Sequence, residues 1–359
     1  MRFWRPRPRH AVRRGVFSVQ PIMLIRPFRL VLALAVLPVS CLHFAAYGQP
    51  GGEPHRPAPV VISSRTLSFG AGKIQVDFAQ GDLVLSRDAI LQHIHTAAAA
   101  IVAYYGRMPV AQARILVVPA DQTRGEIGGT TWPGNGGFQA FTRLRVGRHF
   151  TAAQLADDWV TTHEMVHWAF PSMPDDQHWI EEGLATYVES IARGMTGELS
   201  ARQIWSDMAR DMHQGEPAAG DEGLDHTHTW GRTYWGGALF CLVADIEIRR
   251  ETNNRKGLQD ALRAIVAHGG TIDHDWTLPQ ALAIGDQATG TQVLTRMYAE
   301  WKDKPVTVDL PALWKELGIQ STPQGIEFVG NAPEAKIREA ITITKGEPVS
   351  ATVVPRQSN

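Results

Sequence analysis

The segment Thr161-Thr162-His163-Glu164-Met165-Val166-His167 constrains this chain more than any other. At about 3.6 residues per turn, a helix there projects His163 and His167 from one face, roughly one turn apart. Leu155, Trp159, Thr162, Val166 and Ala169 recur at spacings of three and four, which predicts an apolar stripe along that helix, and Pro171 predicts its end. Two imidazoles so placed suit a single zinc ion, with the carboxylate of Glu164 beside it as a general base. Taken alone, the five residues His163 to His167 are also compatible with a buried helix carrying two hydrogen-bonded histidines.

A third ligand distinguishes these readings, and a carboxylate follows at a suitable place. Trp179-Ile180-Glu181-Glu182-Gly183-Leu184-Ala185-Thr186-Tyr187-Val188-Glu189 reads as a second helix. Asp175 or Asp176 suits its start, since carboxylates are favourable at a helix N-terminus. Ile180, Leu184, Val188 and Ile191 form its apolar stripe, whereas Glu182, Ala185, Thr186 and Glu189 share another face. Small residues beside Glu182 predict close approach to the first helix. Two histidines and one carboxylate leave a fourth zinc position open, which is the catalytic rather than the structural arrangement.

Together, His163-Glu164-x-x-His167 and Trp179-Ile180-Glu181-Glu182-Gly183-Leu184-Ala185-Thr186-Tyr187 resemble the gluzincin metallopeptidases. They are most similar to the aminopeptidase branch, in which a Trp-Leu-Asn-Glu-Gly-Phe-Ala type segment supplies the third ligand. The match places Glu182 as that ligand and Glu181 where the family has Asn. Thr233-Tyr234-Trp235-Gly236-Gly237-Ala238-Leu239-Phe240, running on to Asp245-Ile246-Glu247-Ile248-Arg249-Arg250-Glu251-Thr252, resembles the glycyl aminopeptidase family. There a Tyr-x-x-Gly-Ala helix ends in a Leu-Arg-x-x-Thr-like segment. By this resemblance Tyr234 stabilises the tetrahedral intermediate. The likeness covers roughly residues 155 to 265 and continues more faintly to about 320. Fourteen residues lie between His167 and Glu182, fewer than is usual in the aminopeptidases. No clear copy of the Gly-x-Met-Glu-Asn type segment that holds a free amino end is present. Exopeptidase and endopeptidase action both stay open, with Glu181 and Glu189 the carboxylates available to capture a free amine. Thr186 is placed one turn after Glu182 as a supporting partner.

The N-terminus carries a different signal. Met1 to Arg29 contains many Arg and no acidic residue, Leu30 to Val39 is an unbroken apolar run, and small residues follow through Ala46. These are the proportions of a secretory signal, starting at Met1 or Met23, and the run is short for a transmembrane span. Leu37-Pro38-Val39-Ser40-Cys41 partly resembles a bacterial lipoprotein cleavage site, which makes Cys41 a candidate lipid anchor. The expected location is exported: periplasmic or extracellular, with membrane attachment only through such an anchor or an uncleaved signal. Of the two cysteines, Cys41 and Cys241, the second reads as a small core residue, and the count excludes a cysteine-ligated zinc site. A net charge of −1 gives no reason to expect a nucleic-acid partner.

Between these landmarks the pattern predicts an α+β fold. Strands are expected at Val60-Val61-Ile62, Leu67-Ser68-Phe69, Lys73 to Phe78, Leu83-Val84-Leu85 and Ala113 to Val118, with an Ala-rich helix from Arg87 to Tyr105. The glycine-rich stretch Gly128 to Phe138 is either a flexible hairpin or the edge strand and loop along which a peptide lies. Helices are expected at Ala201 to Met212, Gly257 to His268, Gly290 to Lys302 and Pro311 to Gly318. Ile341-Thr342-Ile343-Thr344 reads as an edge strand. His226, His228 and His178 read as surface loop residues by default, with lining of the site as the alternative. The expected organisation is thus a signal peptide and linker (1–50), a small mixed β-sheet N-terminal subdomain (60–150), a mainly helical thermolysin-like zinc-peptidase catalytic subdomain (151–320) and a C-terminal tail or edge strand (321–359). The expected activity is hydrolysis of peptide bonds in a peptide or protein substrate. A zinc hydrolase of a non-peptide substrate, or a non-catalytic binding protein that keeps the fold, are the alternatives.

Overall fold

The computed structural model describes residues 58–121, 127–323 and 325–342, together with the backbone of 352–354. The predicted export segment, with Cys41, lies outside these residues. Strands β1 (Val61–Phe69) and β2 (Gly72–Ala79) form an antiparallel pair joined by a tight turn at Gly70, whose φ of 58° suits glycine. Val61-Ile62 and Leu67 to Phe69, expected within separate strands, are two ends of one, and Val60 precedes it. Leu83-Val84-Leu85 is irregular: Leu85 is buried, Leu83 is half-buried, and exposed Val84 donates a single backbone bond to Arg148, so the triplet meets the core at its two ends without joining a ladder. Helix α1 (Arg87–Tyr105) is capped by the Ser86 hydroxyl and ended by left-handed Gly106. It leads to β3 (Gln112–Ala120), parallel to β2. β4 (Ile127–Pro133) and β5 (Ala140–Gly147) then pair as an antiparallel hairpin, with β5 parallel to β3.

The remainder is mostly helical: α2 (Ala152–Ala156), α3 (Val160–Val166), α4 (His178–Met195), α5 (Ala201–Asp211), α6 (Gly237–Glu251), α7 (Leu258–Ala267), α8 (Leu278–Thr289), α9 (Val293–Trp301) and α10 (Leu310–Leu317). The short pair β6 (Ile319–Thr322) and β7 (Gly325–Phe328), α11 (Ala335–Ile341) and β8 (Thr352–Val354) close the sequence of elements. The main sheet runs β4-β5-β3-β2-β1-β8, which leaves β4 as one edge. Helix α8 was not expected from the sequence; Gly285 dilutes its helical signal, but contact with Ala261 of α7 and Leu294 of α9 requires a residue without a side chain there. Ile341 ends α11 rather than starting a strand, because Ile337 and Ile341 are buried together one helical turn apart. Ile343 and Thr344 lie outside the described residues.

Strand alternation explains how sheet and helices join. Ile74, Val76 and Phe78 of β2, Ala113, Ile115 and Val117 of β3, and Ala140, Leu144 and Val146 of β5 are all buried and share one face with the helical core. Arg114 and Arg143 take alternate positions on the other face, where Arg114 pairs with Asp77 at 2.7 Å. On the helical side α1 packs against both α3 and α4, which in turn pack on each other. The predicted stripe on the first helix is shorter than expected: Leu155 belongs to α2, and the chain turns at Asp157 and Asp158 before α3 begins.

Candidate functional site

Asp158 sets the start of α3. Its Oδ1 accepts the Val160 N–H at 3.1 Å; its Oδ2 accepts the Thr161 N–H at 3.1 Å and the Thr161 hydroxyl at 2.7 Å, and meets His93 Nε2 of α1 at 2.8 Å. Burial opposes the charge, but the bonds from His93 and Thr161 prevail and hold this carboxyl below its ordinary range. The first turn is thereby tied to α1. One turn later His163 and Glu164 are buried, and the helix tightens into a short 3₁₀ turn at His167–Ala169. The rings of His163 and His167 stand 5.2 Å apart at 80°.

Helix α4 brings the carboxylate. Glu182 Oε2 lies 3.1 Å from His163 Nε2 and 3.8 Å from His167 Nε2, and the three donor atoms are all within 4.8 Å of one another. Two donors on a tetrahedral zinc, each about 2.0–2.2 Å from the ion, are roughly 3.3–3.6 Å apart. The cluster therefore fits a zinc ion with small adjustments. Its donor types, two imidazole nitrogens and one carboxylate oxygen, also fit. The Glu182 side chain leans toward the helix N-terminus, as helical side chains do. Its second oxygen, Oε1, consequently meets His178 one turn earlier, at 3.1 Å. Thr186, one turn later, makes no side-chain hydrogen bond among the described residues, so the expected supporting partner of Glu182 is replaced by His178.

Small residues near Glu182 do permit a close approach, but chiefly to a different element. A Cβ on Gly183 would fall 2.3 Å from the backbone carbon of Gly237, at the start of α6. This contact seats α4 against the π-type turn Gly231–Gly236, which carries Tyr234. The Tyr234 ring stacks on His163 at 6.3 Å between centroids and on Trp230 at 5.8 Å. Its phenol is near enough to Glu182 to feel the carboxylate. Burial first, then the negative charge of Glu182, push its pKa far up, so it remains a hydrogen-bond donor.

The least regular stretch of the sequence supplies the wall opposite. Gly129 of β4 lies so close to Glu164 that a Cβ there would be 2.3 Å from Cγ and 2.4 Å from Oε1. Two residues on, the Thr131 hydroxyl donates to Glu164 Oε2 at 2.7 Å. Thr131 is also 2.8 Å from the Thr142 hydroxyl, which lies 3.0 Å from the Trp168 indole nitrogen. An indole N–H can only donate. The polarity therefore runs Trp168 to Thr142 to Thr131 to Glu164, and the chain of donors ends on one oxygen of the candidate base. The sequence marks the glycine-rich stretch that holds Gly129 and Thr131 but not their partners, which the β4–β5 hairpin brings from elsewhere.

Burial pushes Glu164 up to about 7; His163 and the Thr131 bond pull it down, less strongly, and Glu182 adds to the rise. His167 is lowered to about 4, mainly by burial. Burial also works against the charged form of His163, but its hydrogen bond to Glu182 and the charges of Glu182, Glu164 and Glu189 raise it overall. Burial disfavours ionised Glu182, yet the bonds from His163 and His178 hold it well below the usual carboxylate range. A neutral imidazole at position 167 and an ionised carboxylate at 182 are the forms a cation needs.

Of the other candidates, Glu189 pairs with buried Arg193 at 2.8 Å and Glu181 with His178 at 2.9 Å, so each carboxylate already has a cationic or donor partner. His226 pairs with Asp303 at the surface and His228 is exposed. Cys241 is a buried core residue of α6, as expected.

No protein-family model matches this chain, and no curated protein matches it in sequence. Its fold does match solved structures. An aminopeptidase N family protein from Idiomarina loihiensis aligns over 72% of this chain and 49% of its own, at 13% identity and a TM-score of 0.54. A mutant M1 zinc metallopeptidase from Deinococcus radiodurans aligns over 69% of this chain and 54% of its own, at 14% identity and a TM-score of 0.45. The chain thus spans about half the length of these structures, and the likeness to the first is one of fold.

Proposed function

We propose that this chain is a zinc-dependent peptidase in which His163, His167 and Glu182 hold the metal. The observation that supports this most directly is the convergence of their three donor atoms beside buried Glu164, at the edge strand of a sheet. When bound, zinc supplies Lewis acidity: it lowers the pKa of water toward roughly 7 and polarises a peptide carbonyl. Glu164 takes a proton from the attacking water at Oε1, the oxygen that Thr131 does not engage, and returns it to the departing amine. The Tyr234 phenol donates to the oxyanion that develops on the former carbonyl oxygen. The free edge of β4 takes the substrate as an added strand, with Gly129 keeping the backbone close to Glu164. The Arg-rich and apolar N-terminal segments support an exported protein.

Elemental mass spectrometry of the purified protein, beside a His163→Ala control, tests the metal. About one zinc per chain, lost in the control, is expected. Absence of zinc after reconstitution would make the histidines structural. A panel of peptide, amide and ester substrates then tests the bond cleaved, and Glu164→Gln is expected to retain zinc while losing at least about 100-fold in turnover. Full activity in that variant would remove Glu164 from its role.

A further inference from the structure

We infer that His178 is a positioning residue for the metal ligand Glu182, held in place by Glu181, so that the three side chains act as one clamp at the first turn of α4. This rests on the proposed zinc site and adds a residue that neither the ligand set nor the general base requires.

The geometry is specific. The His178 ring presents Nδ1 to Glu181 Oε2 at 2.9 Å and Nε2 to Glu182 Oε1 at 3.1 Å. Ionised carboxylates only accept hydrogen bonds, so a ring with both nitrogens against carboxylate oxygens serves as a two-donor bridge. Glu181 is fixed in turn, because its Oε1 accepts the Met173 N–H at 3.4 Å. With Oε1 of Glu182 engaged, Oε2 is the oxygen left to face His163 and His167, and it is the one within 3.1 and 3.8 Å of their Nε2 atoms. The terminal torsion of a glutamate is broad and nearly two-fold. A bond to one oxygen therefore removes much of the freedom that metal binding would otherwise have to freeze.

Helix energetics do not account for this histidine. A histidine at the first residue of α4 brings the helix none of the support that an acid gives at an N-terminus. The side chain is also 48% exposed, so it contributes little to the core. The two acidic partners hold the ring, and the orientation of Glu182 is the result. Spacing explains the reach: residues 178 and 182 are one turn apart on the same face, and the glutamate side chain leans toward the N-terminal turn.

The test is zinc affinity, measured on the full-length protein by competition with a chelating dye, for wild type, His178→Ala, His178→Gln and Glu181→Gln. Loss of a hydrogen-bonding partner behind a metal ligand typically costs 10–100-fold in affinity. His178→Ala is expected to weaken zinc binding by that range, His178→Gln to recover part of it through its amide N–H, and Glu181→Gln to fall between wild type and His178→Ala. The visible spectrum of the cobalt-substituted protein should change in His178→Ala, as the carboxylate reorients. Wild-type affinity in His178→Ala, with zinc bound normally by the parent protein, would overturn this inference and leave the zinc site intact. Equal loss in the Ala and Gln variants would also overturn it, since the histidine would then serve the local fold rather than the oxygen of Glu182. A parent protein that binds no zinc would overturn the proposed function and this inference together.

Discussion

Gly129→Ala offers a sharp test of how the site is assembled. The added methyl carbon would sit 2.3 Å from Glu164 Cγ, 2.4 Å from Oε1 and 2.6 Å from Cδ, whereas ordinary contact begins at 3.4 Å. About 1.1 Å of movement is therefore needed. The strand is held to β5 through the Gly129–Leu144 pair, and Glu164 is held by Thr131 and by its place on buried α3. Either β4 lifts or the carboxylate swings. A misplacement near 1 Å at a catalytic group costs on the order of 100-fold in rate, or about 2.7 kcal/mol. Overpacking adds about 1–3 kcal/mol of lost stability. The three atoms nearest this methyl all belong to Glu164, not to the proposed ligands His163, His167 and Glu182. Zinc content should accordingly hold at the parental level while kcat/KM on peptides falls about 100-fold and the urea midpoint drops modestly. Parental kcat/KM in a folded, zinc-loaded Gly129→Ala protein would refute the claim that β4 and Glu164 form one tightly spaced unit.

Three further outcomes are expected. Thr131→Val removes a hydrogen bond that favours ionised Glu164; because the base must be ionised to accept a proton, the acid limb of the kcat/KM profile should move to higher pH, by about one unit for roughly 1.4 kcal/mol. A profile that stays in place or moves to lower pH would contradict this. Tyr234→Phe should lower kcat by about 100- to 1,000-fold with zinc retained, as measured by turnover beside metal analysis, in line with loss of one oxyanion donor. Gly183→Ala places a methyl 2.3 Å from the Gly237 backbone, which cannot swing aside as a side chain can, so thermal unfolding should show a loss of more than about 2 kcal/mol and disturb the seat of Tyr234; parental stability there would mean that α4 and α6 separate without cost.

Much of the site could be read in the sequence because it is local. His163 and His167 share a helical face through their spacing alone, and the Glu182 helix follows from its apolar stripe and acidic start. The resemblance of Tyr234 and its flanking glycines to a known helix likewise needed only consecutive residues. Other features depend on long-range pairing. Gly129, Thr131 and Thr142 meet Glu164 and Trp168 only because the β4–β5 hairpin, in its particular register, lies beside α3. A pattern of alternating residues does not say which helix a strand will touch. Joining of Val61-Ile62 with Leu67 to Phe69 into β1 was likewise decided by pairing with β2, which satisfies the backbone of the polar residues between them.

The sequence by itself determined which chemical groups are available and how far apart they sit along each helix: two imidazoles one turn apart, an acid between them, a second acid on the next helix, and a phenol beyond. Covalent spacing and helical periodicity suffice for that. Tertiary structure alone decided that the donor atoms of α3 and α4 converge within 4.8 Å, and that Gly129 and Thr131 close on Glu164. Those distances are set by packing, through Gly183 against Gly237 and α1 against both helices, and packing is a property of the whole chain rather than of any segment.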